Sequence, residues 1–132
     1  MADIPSAYLD LLQQKKAFAS LATVMADGSP QVTPIWFDYT NGVIRVNSAK
    51  GRTKTRNMRE GAHVALSIMD PDNAYRYIQI RGKVTKVTEQ GAVAHIDSLA
   101  KKYIGKDKYP WSRPGEVRVT FEITPETAQA MG

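Results

Sequence analysis

Residues 52–59 read R-T-K-T-R-N-M-R and follow the small-residue stretch Ser48-Ala49-Lys50-Gly51. A chain that leaves a strand, turns through small residues and enters a helix exposes free backbone N–H groups at the helix start, where anions bind. Arg52 and Lys54 would add charge there, the arginine as a planar fork and the lysine as a compact point charge. Thr53 and Thr55 add hydroxyl donors. Cations at a helix N-terminus are locally unfavourable, so a bound anion would relieve a cost built into the segment. The same residues also suit a solvated basic helix, and the segment by itself does not choose between the two.

Other constellations that could do chemistry are weak. The chain has no cysteine, which excludes disulfides, zinc–thiolate sites, iron–sulfur clusters and a thiol nucleophile. His63 at a strand start and His95 on a helix read as surface or capping histidines, with nothing to relate them. Ser20 and Ser67 lie in apolar strands without a G-x-S-x-G elbow and read as core serines. No carboxylate pair is spaced for acid–base work and no metal-ligand cluster is visible, so no catalytic residue is assigned. An enzyme of this composition needs a bound cofactor for its reactive centre.

The charge supports an anionic partner. The net charge is +5 and six of the 18 basic residues fall between Arg45 and Arg59, with no acidic residue until Glu60. Nucleic acid is disfavoured, because this stretch lacks the interleaved aromatics on which single strands stack. Asp3 and Asp10 interrupt any N-terminal apolar stretch, and no run is long enough to cross a bilayer. A cytoplasmic protein with no membrane partner is expected.

The elements that must position these residues are mostly strands. Residues 1–132 form a single domain with ordinary globular composition. Pro5 to about Lys16 reads as a short amphipathic helix, and Ala17–Met25 as a strand turning at Asp27-Gly28. Gln31–Tyr39 reads as one strand, with Pro34 at an edge or bulge. Asn41-Gly42 turns into the strand Val43–Asn47, and Arg52–Glu60 is helical with Gly61 at its C′ position. The strand His63–Met69 leads through the turn at Asp70 to a long strand, Tyr75–Val87, bent at Gly82. Thr88 caps a helix to about Ile104 whose buried stripe is Val93, Ile96, Leu99, Ala100, Tyr103 and Ile104, with Gly105 as the stop. A Lys-, Pro- and Tyr-rich loop precedes a last strand, Glu116–Ile123. Trp36, Phe37 and Tyr39 read as core or interface residues. The predicted fold is mainly β with flanking helices, a six-stranded antiparallel split barrel. Such a barrel has little interior, so a flavin-sized ligand belongs in a groove or between subunits.

The run SLATVMADGSPQVTPIWFDYTNGVIRVNSAKGRTKTRNMREGAHVALSIMD, and the order of elements from about Phe18 to Val87, resemble the flavin/deazaflavin oxidoreductase superfamily. That superfamily shares the pyridoxamine-phosphate-oxidase-like split barrel. R-T-K-T-R-N-M-R after V-N-S, with YIGKDKYP and RPGEVRVTFEITPE in the tail, is similar to its branch that binds the deazaflavin coenzyme F420. The resemblance implies a homodimer with cofactor sites at the subunit interface.

Carried over, it puts Arg52 and Lys54 on the cofactor phosphate. Gln31, Val32, Thr33 and Pro34 would run along the ring, with Val46, Asn47 and Ser48 adding contacts. Tyr75, where relatives often carry tryptophan, would come from the partner subunit. Lys50, Arg56 and Arg59 exceed the needs of one phosphate and extend the positive surface toward the polycarboxylate tail of F420, which FMN lacks. The implied activity is hydride transfer between reduced F420 and a small conjugated acceptor. The alternatives are an FMN-dependent reductase or oxidase, a non-catalytic F420 carrier and, outside this class, a nucleic-acid-binding barrel.

Overall fold

A computed structural model describes residues 3–132. Seven strands form one antiparallel sheet, one more than predicted, because Pro30–Ile35 (β2) and Asp38–Thr40 (β3) are separate strands. The others are Ala19–Val24 (β1), Val43–Ala49 (β4), His63–Asp70 (β5), Asn73–Thr88 (β6) and Arg118–Met131 (β7). Their order across the sheet is β2-β1-β5-β6-β7-β4-β3. The two outermost strands, β2 and β3, are therefore consecutive in the chain, joined only by Trp36 and Phe37. So short a link reaches about 10 Å. The sheet must curl until its two edges meet at that end, which produces a barrel that is split rather than closed by a ladder. Pro34 is tolerated because β2 is an edge strand.

Local chemistry sets the bends. Asn41 and Gly42 both take positive φ, 52° and 79°, as the tight β3–β4 turn requires. The ladder between β6 and β7 shifts register at Arg81/Gly82, and Gly82 pairs with Pro125, a residue without a ladder donor inside a central strand. A Cβ on Gly82 would lie 2.4 Å from the Thr124 carbonyl oxygen, so the strands approach here as only glycine permits. The core fills the inner face with Leu21, Phe37, Ile44, Leu66, Ile80 and Phe121 among its fully buried members. Ser20 and Ser67 are exposed partners across β1 and β5 and not core serines, since the alternation that buries Leu21 and Leu66 turns them outward.

The helices are shorter than their patterns predict. A 3-10 turn at Ser6–Tyr8 runs into Leu9–Gln13 (α1), which buries Leu11 and Leu12. The basic helix spans only Thr53–Asn57 (α2), not Arg52–Glu60, so it offers little aligned dipole. Ala92–Ile104 (α3) begins at Gly91, whose φ of 76° sets the turn. Thr88 does not cap it, because the Thr88 hydroxyl accepts from Gln90 N instead. Val93 and Ile104 face outward, while Ile96, Leu99, Ala100 and Tyr103 are buried as predicted. No helix among the described residues is long and apolar enough to cross a membrane.

An ion network ties α1 to the β5–β6 turn. Asp70, 4% exposed, accepts from Lys15 Nζ at 2.9 Å and from Arg76 Nη1 at 2.8 Å, while Arg76 also reaches Asp10. The Lys15 hydrogen bond, with help from the Asp72 amide and Arg76, lowers the Asp70 carboxyl from 3.8 to about 2.

Two outcomes are expected. Gly82→Ala should destabilise the fold by about 1–3 kcal/mol in urea melts, through forced separation of β6 and β7. Because the folded-state pKa of Asp70 is depressed, its stabilising effect is complete above its ordinary value near 3.8 and is lost as pH falls toward about 2. Asp70→Asn should flatten that acid limb of the stability profile.

Candidate functional site

The short α2 is fixed to the end of β4 by side chains. Thr55 Oγ1 lies 2.7 Å from the Ala49 carbonyl oxygen and 2.9 Å from Ser48 Oγ. At its other end Asn57 Nδ2 donates to Thr23 Oγ1, which in turn donates to Gln31 Oε1. So anchored, α2 holds Lys54, with Arg52 just before it, at one end of an open cleft whose polar side also includes Asn47 and Arg118. Arg118 begins β7 and pairs with Ala49, so the strand ladder brings it beside α2.

The cleft's other half is aromatic and apolar. Trp36, from the link between the two sheet edges, stacks on Tyr103 of α3 with ring centroids 5.3 Å apart and planes 3° apart. Tyr109 and Trp111, on the loop after α3, meet Trp36 at 6.1 and 6.3 Å. Asp97 Oδ1 accepts from the Tyr109 amide at 2.8 Å and steadies that loop. The Arg118 guanidinium lies 5.2 Å from the Tyr109 ring centre and joins the two halves. Phe18, Ile96 and Leu99 complete the wall. Burial raises the Tyr103 phenol to about 12, and its hydroxyl donates to the Ala17 carbonyl at 2.6 Å, so it is a neutral structural group.

Charge in the cleft is one-sided. Burial lowers the pKa of the Lys54 ammonium, and the nearby Arg52 and Arg118 lower it further. Neither Arg52 nor Lys54 enters an ion pair among the described residues. A half-buried cation beside two others, with Glu116 on Arg118 as the one carboxylate paired among them, is an arrangement that an anion would stabilise. Thr33 on β2 carries a buried hydroxyl without a hydrogen-bond partner, a second polar group left unspent near this edge. Phosphate chemistry at the cationic end and a flat ring against the aromatic wall fit the residues present.

The sequence-predicted residues divide into groups. Pro34, Asn47, Arg52 and Lys54 line the cleft. Gln31 and Thr33 lie on the same edge strand β2, as does Val32, which is 64% exposed. Val46 and Ser48 are buried, so Val46 has only backbone to offer and Ser48 is spent on Thr55. Lys50 pairs with Glu89, and Arg56 is turned onto the Gly51 carbonyl, so neither reaches the cleft. Arg59 is exposed and borders a different groove. Tyr75, 85% exposed at the start of β6, does not line the cleft.

Trp36, Tyr109, Trp111 and Arg118 were not legible as site residues. His95 is not a surface or capping residue: it is 4% exposed and lies 3.1 Å from Asp38 Oδ2. The signal that could have found it is the amphipathic α3, whose buried stripe has His95 in phase with Ile96, Leu99 and Tyr103. Arg118 and Thr120 are buried on the outward phase of β7, because α3 covers that face.

Comparison with known families places this architecture. The profile described as pyridoxamine 5'-phosphate oxidase matches residues 4–132. The chain belongs to the pyridoxamine 5'-phosphate oxidase family. Among solved structures, a protein titled F420 reductase is 32% identical, covering 96% of this chain and 98% of its own, with a TM-score of 0.81. A putative pyridoxamine 5'-phosphate oxidase from Listeria innocua is 21% identical over 94% of each chain, with a TM-score of 0.69. An FAD- and heme-binding protein from Mycobacterium smegmatis is 18% identical, covering 98% of this chain and 71% of its own, with a TM-score of 0.71. These last two share the fold. No curated protein matches the chain. The split-barrel assignment from sequence therefore stands, with a seventh strand added.

Family membership leaves the cation cluster as the feature to test. Since Lys54 is depressed from 10.5, anion affinity should fall on raising the pH earlier than it would with an ordinary lysine. Lys54→Arg should move that fall to higher pH in a binding titration followed across the alkaline range.

Proposed function

We propose that this protein is an oxidoreductase that uses coenzyme F420, bound with its phosphate on Arg52 and Lys54. The observation that carries the reading is the half-buried Lys54, beside Arg52 and Arg118 and without an acidic partner, at the end of an aromatic cleft. The similarity to a protein titled F420 reductase, over nearly the full length of both chains, supports the deazaflavin. When bound, F420 supplies a two-electron centre that exchanges hydride with a small conjugated acceptor.

The chain's own contribution is binding, orientation and exclusion of water. Arg52 and Lys54 hold the phosphate, while the edge strand from Gln31 to Pro34 and the end of β4 from Val46 to Ser48 border the ring. Trp36 and Trp111 shield the apolar end. A polycarboxylate tail finds charge in the exposed Lys106, Lys108 and Arg113, which share a loop with Tyr109 and Trp111, more readily than in the engaged Lys50 and Arg56.

A second copy of the chain completes the site in this reading. Exposed Val24 and Val32 flank an apolar groove lined by Ala22, Pro30, Val64 and Gly82, a surface suited to a subunit contact. Tyr75 of that copy would then cover the ring. FMN is the second reading, because the three cations of the cleft account for a phosphate and FMN carries one as well.

Parallel fluorescence titrations with F420 and FMN separate these readings. Preference for F420 is expected, and preference for FMN would move the chemistry to a flavoprotein reductase or oxidase. Lys54→Ala should weaken F420 binding by about 1.5–3 kcal/mol, and Arg52→Ala by less because Arg52 is exposed to solvent. Unchanged affinity in both variants would remove the phosphate assignment.

A further inference from the structure

Leading into the cleft is a chain of buried and half-buried polar groups that phosphate binding by Arg52 and Lys54 does not use. Asp38 and Arg45 are cross-strand partners on β3 and β4, and the guanidinium grips both carboxylate oxygens at 2.8 Å. Burial alone would raise the Asp38 carboxyl, but hydrogen bonds from His95 and Arg45 outweigh it and hold the group below its ordinary value. Asp38 is thus an acceptor only, and the His95 Nε2 that lies 3.1 Å from it must carry a proton.

The other ring nitrogen is then determined by Asn47. The Asn47 amide nitrogen donates to the Ala92 carbonyl at 2.8 Å, and Oδ1 accepts from Arg118 Nε at 2.9 Å. Flipping the carboxamide would set oxygen against the Ala92 oxygen and N–H against the Arg118 N–H, so the orientation has one solution. In that orientation Asn47 Nδ2 points its second hydrogen at His95 Nδ1, 3.2 Å away, with Thr120 Oγ1 at 3.1 Å from the same nitrogen. Asn47 Nδ2 also lies 3.4 Å from Thr120 Oγ1, and the shorter contact to the ring favours Nδ1 as acceptor with the proton on Nε2 facing Asp38.

The sequence of constraints ends in the cleft. Asp38 sets the tautomer of His95, His95 Nδ1 adds a third contact to the Asn47 face that Ala92 and Arg118 already favour, and Asn47 holds Arg118 by Nε. Glu116 takes Arg118 Nη1 at 2.9 Å, and Tyr109 stacks against the guanidinium. No hydrogen bond among the described residues uses Nη2. Arg118 is 7% exposed, lines the cleft and acts electrostatically on Lys54.

We infer that Arg118 is a third anion-binding residue of the cleft and that His95, held in one tautomer by Asp38, is the positioning residue that aims it through Asn47. The inference rests on the reading of the cleft as a phosphate site. It explains why a histidine and an aspartate are placed where an apolar pair would pack at lower desolvation cost. A fixed donor–acceptor pattern carries orientation from Asp38 to an arginine three contacts away.

The test uses riboflavin and FMN, which share a ring and differ by the phosphate, together with F420. In the wild type FMN and F420 should bind more tightly than riboflavin. Arg118→Ala should weaken FMN and F420 about tenfold and leave riboflavin unchanged. His95→Gln should weaken the phosphate ligands severalfold, and the double variant should be no weaker than Arg118→Ala alone. An additive double variant, or equal losses for riboflavin and FMN in His95→Gln, would overturn the positioning role while leaving the phosphate site intact. Equal binding of riboflavin, FMN and F420 by the wild type would instead remove the phosphate site itself, and this inference with it. Should His95→Gln fail to fold, ¹⁵N NMR of the wild-type histidines decides independently. His63 and His95 are the two histidines of the chain. The Nε2–H tautomer at His95 is expected, and a proton on Nδ1 would break the link to Asn47 and overturn the proposal.

Discussion

The link of Trp36 and Phe37 between the sheet's two edge strands constrains everything around it, because two residues cannot bridge a flat seven-stranded sheet. The sheet has to curl, and the long β6 and β7 accommodate the curl through the shift at Gly82 and Pro125. The same link divides its two side chains between core and site. Phe37 points into the barrel and is fully buried, whereas Trp36 points out and becomes a wall of the cleft. One residue further on, Asp38 starts β3 and anchors both Arg45 and His95. A barrel closed by a regular ladder would have no such position.

Against this frame the placement of α3 decides which polar groups are sealed from water. The helix packs on β4 and β7 and buries Arg118, Thr120 and His95, all polar, between itself and the sheet. Unpaired groups there would each cost a few kcal/mol, and the observed network leaves few of them unmatched. The same helix carries Tyr103, whose hydroxyl donates to the Ala17 carbonyl just before β1. Helix, edge link and first strand are thereby locked together beneath Trp36, giving the aromatic wall a rigid base. The loop bearing Tyr109 and Trp111 is held more lightly, through the Asp97 contact and ring packing.

The family's structural neighbours show how little the fold alone says about chemistry. Proteins titled as an F420 reductase and as an FAD- and heme-binding protein share this architecture. What distinguishes one member from another is the set of side chains brought to the cleft. Here that set combines three cations without a carboxylate among Arg52 and Lys54's ion-pair partners, and stacked aromatics opposite. The cations repel one another and one of them is half buried, a cost that the barrel and α3 sustain and an anion removes.

The strand alternation, the turns at Asn41-Gly42 and the bend at Gly82 were legible because each rests on local geometry: positive φ, period two, absence of a Cβ. The phosphate-binding candidates Arg52 and Lys54 were legible for a similar reason, since they lie in one short segment next to a strand end. The tertiary structure alone decided which cations remain available. Lys50 and Arg56 stand in the same segment but are engaged by Glu89 and the Gly51 carbonyl, contacts that no spacing reveals. Arg118 and His95 lie 66 and 43 residues beyond Arg52; Arg118 joins it in the cleft, and His95 comes up behind at Asn47, only because β7 pairs with β4 and α3 covers both. Periodicity determines which way a residue faces along its own element; what covers that face depends on the packing of elements distant in sequence.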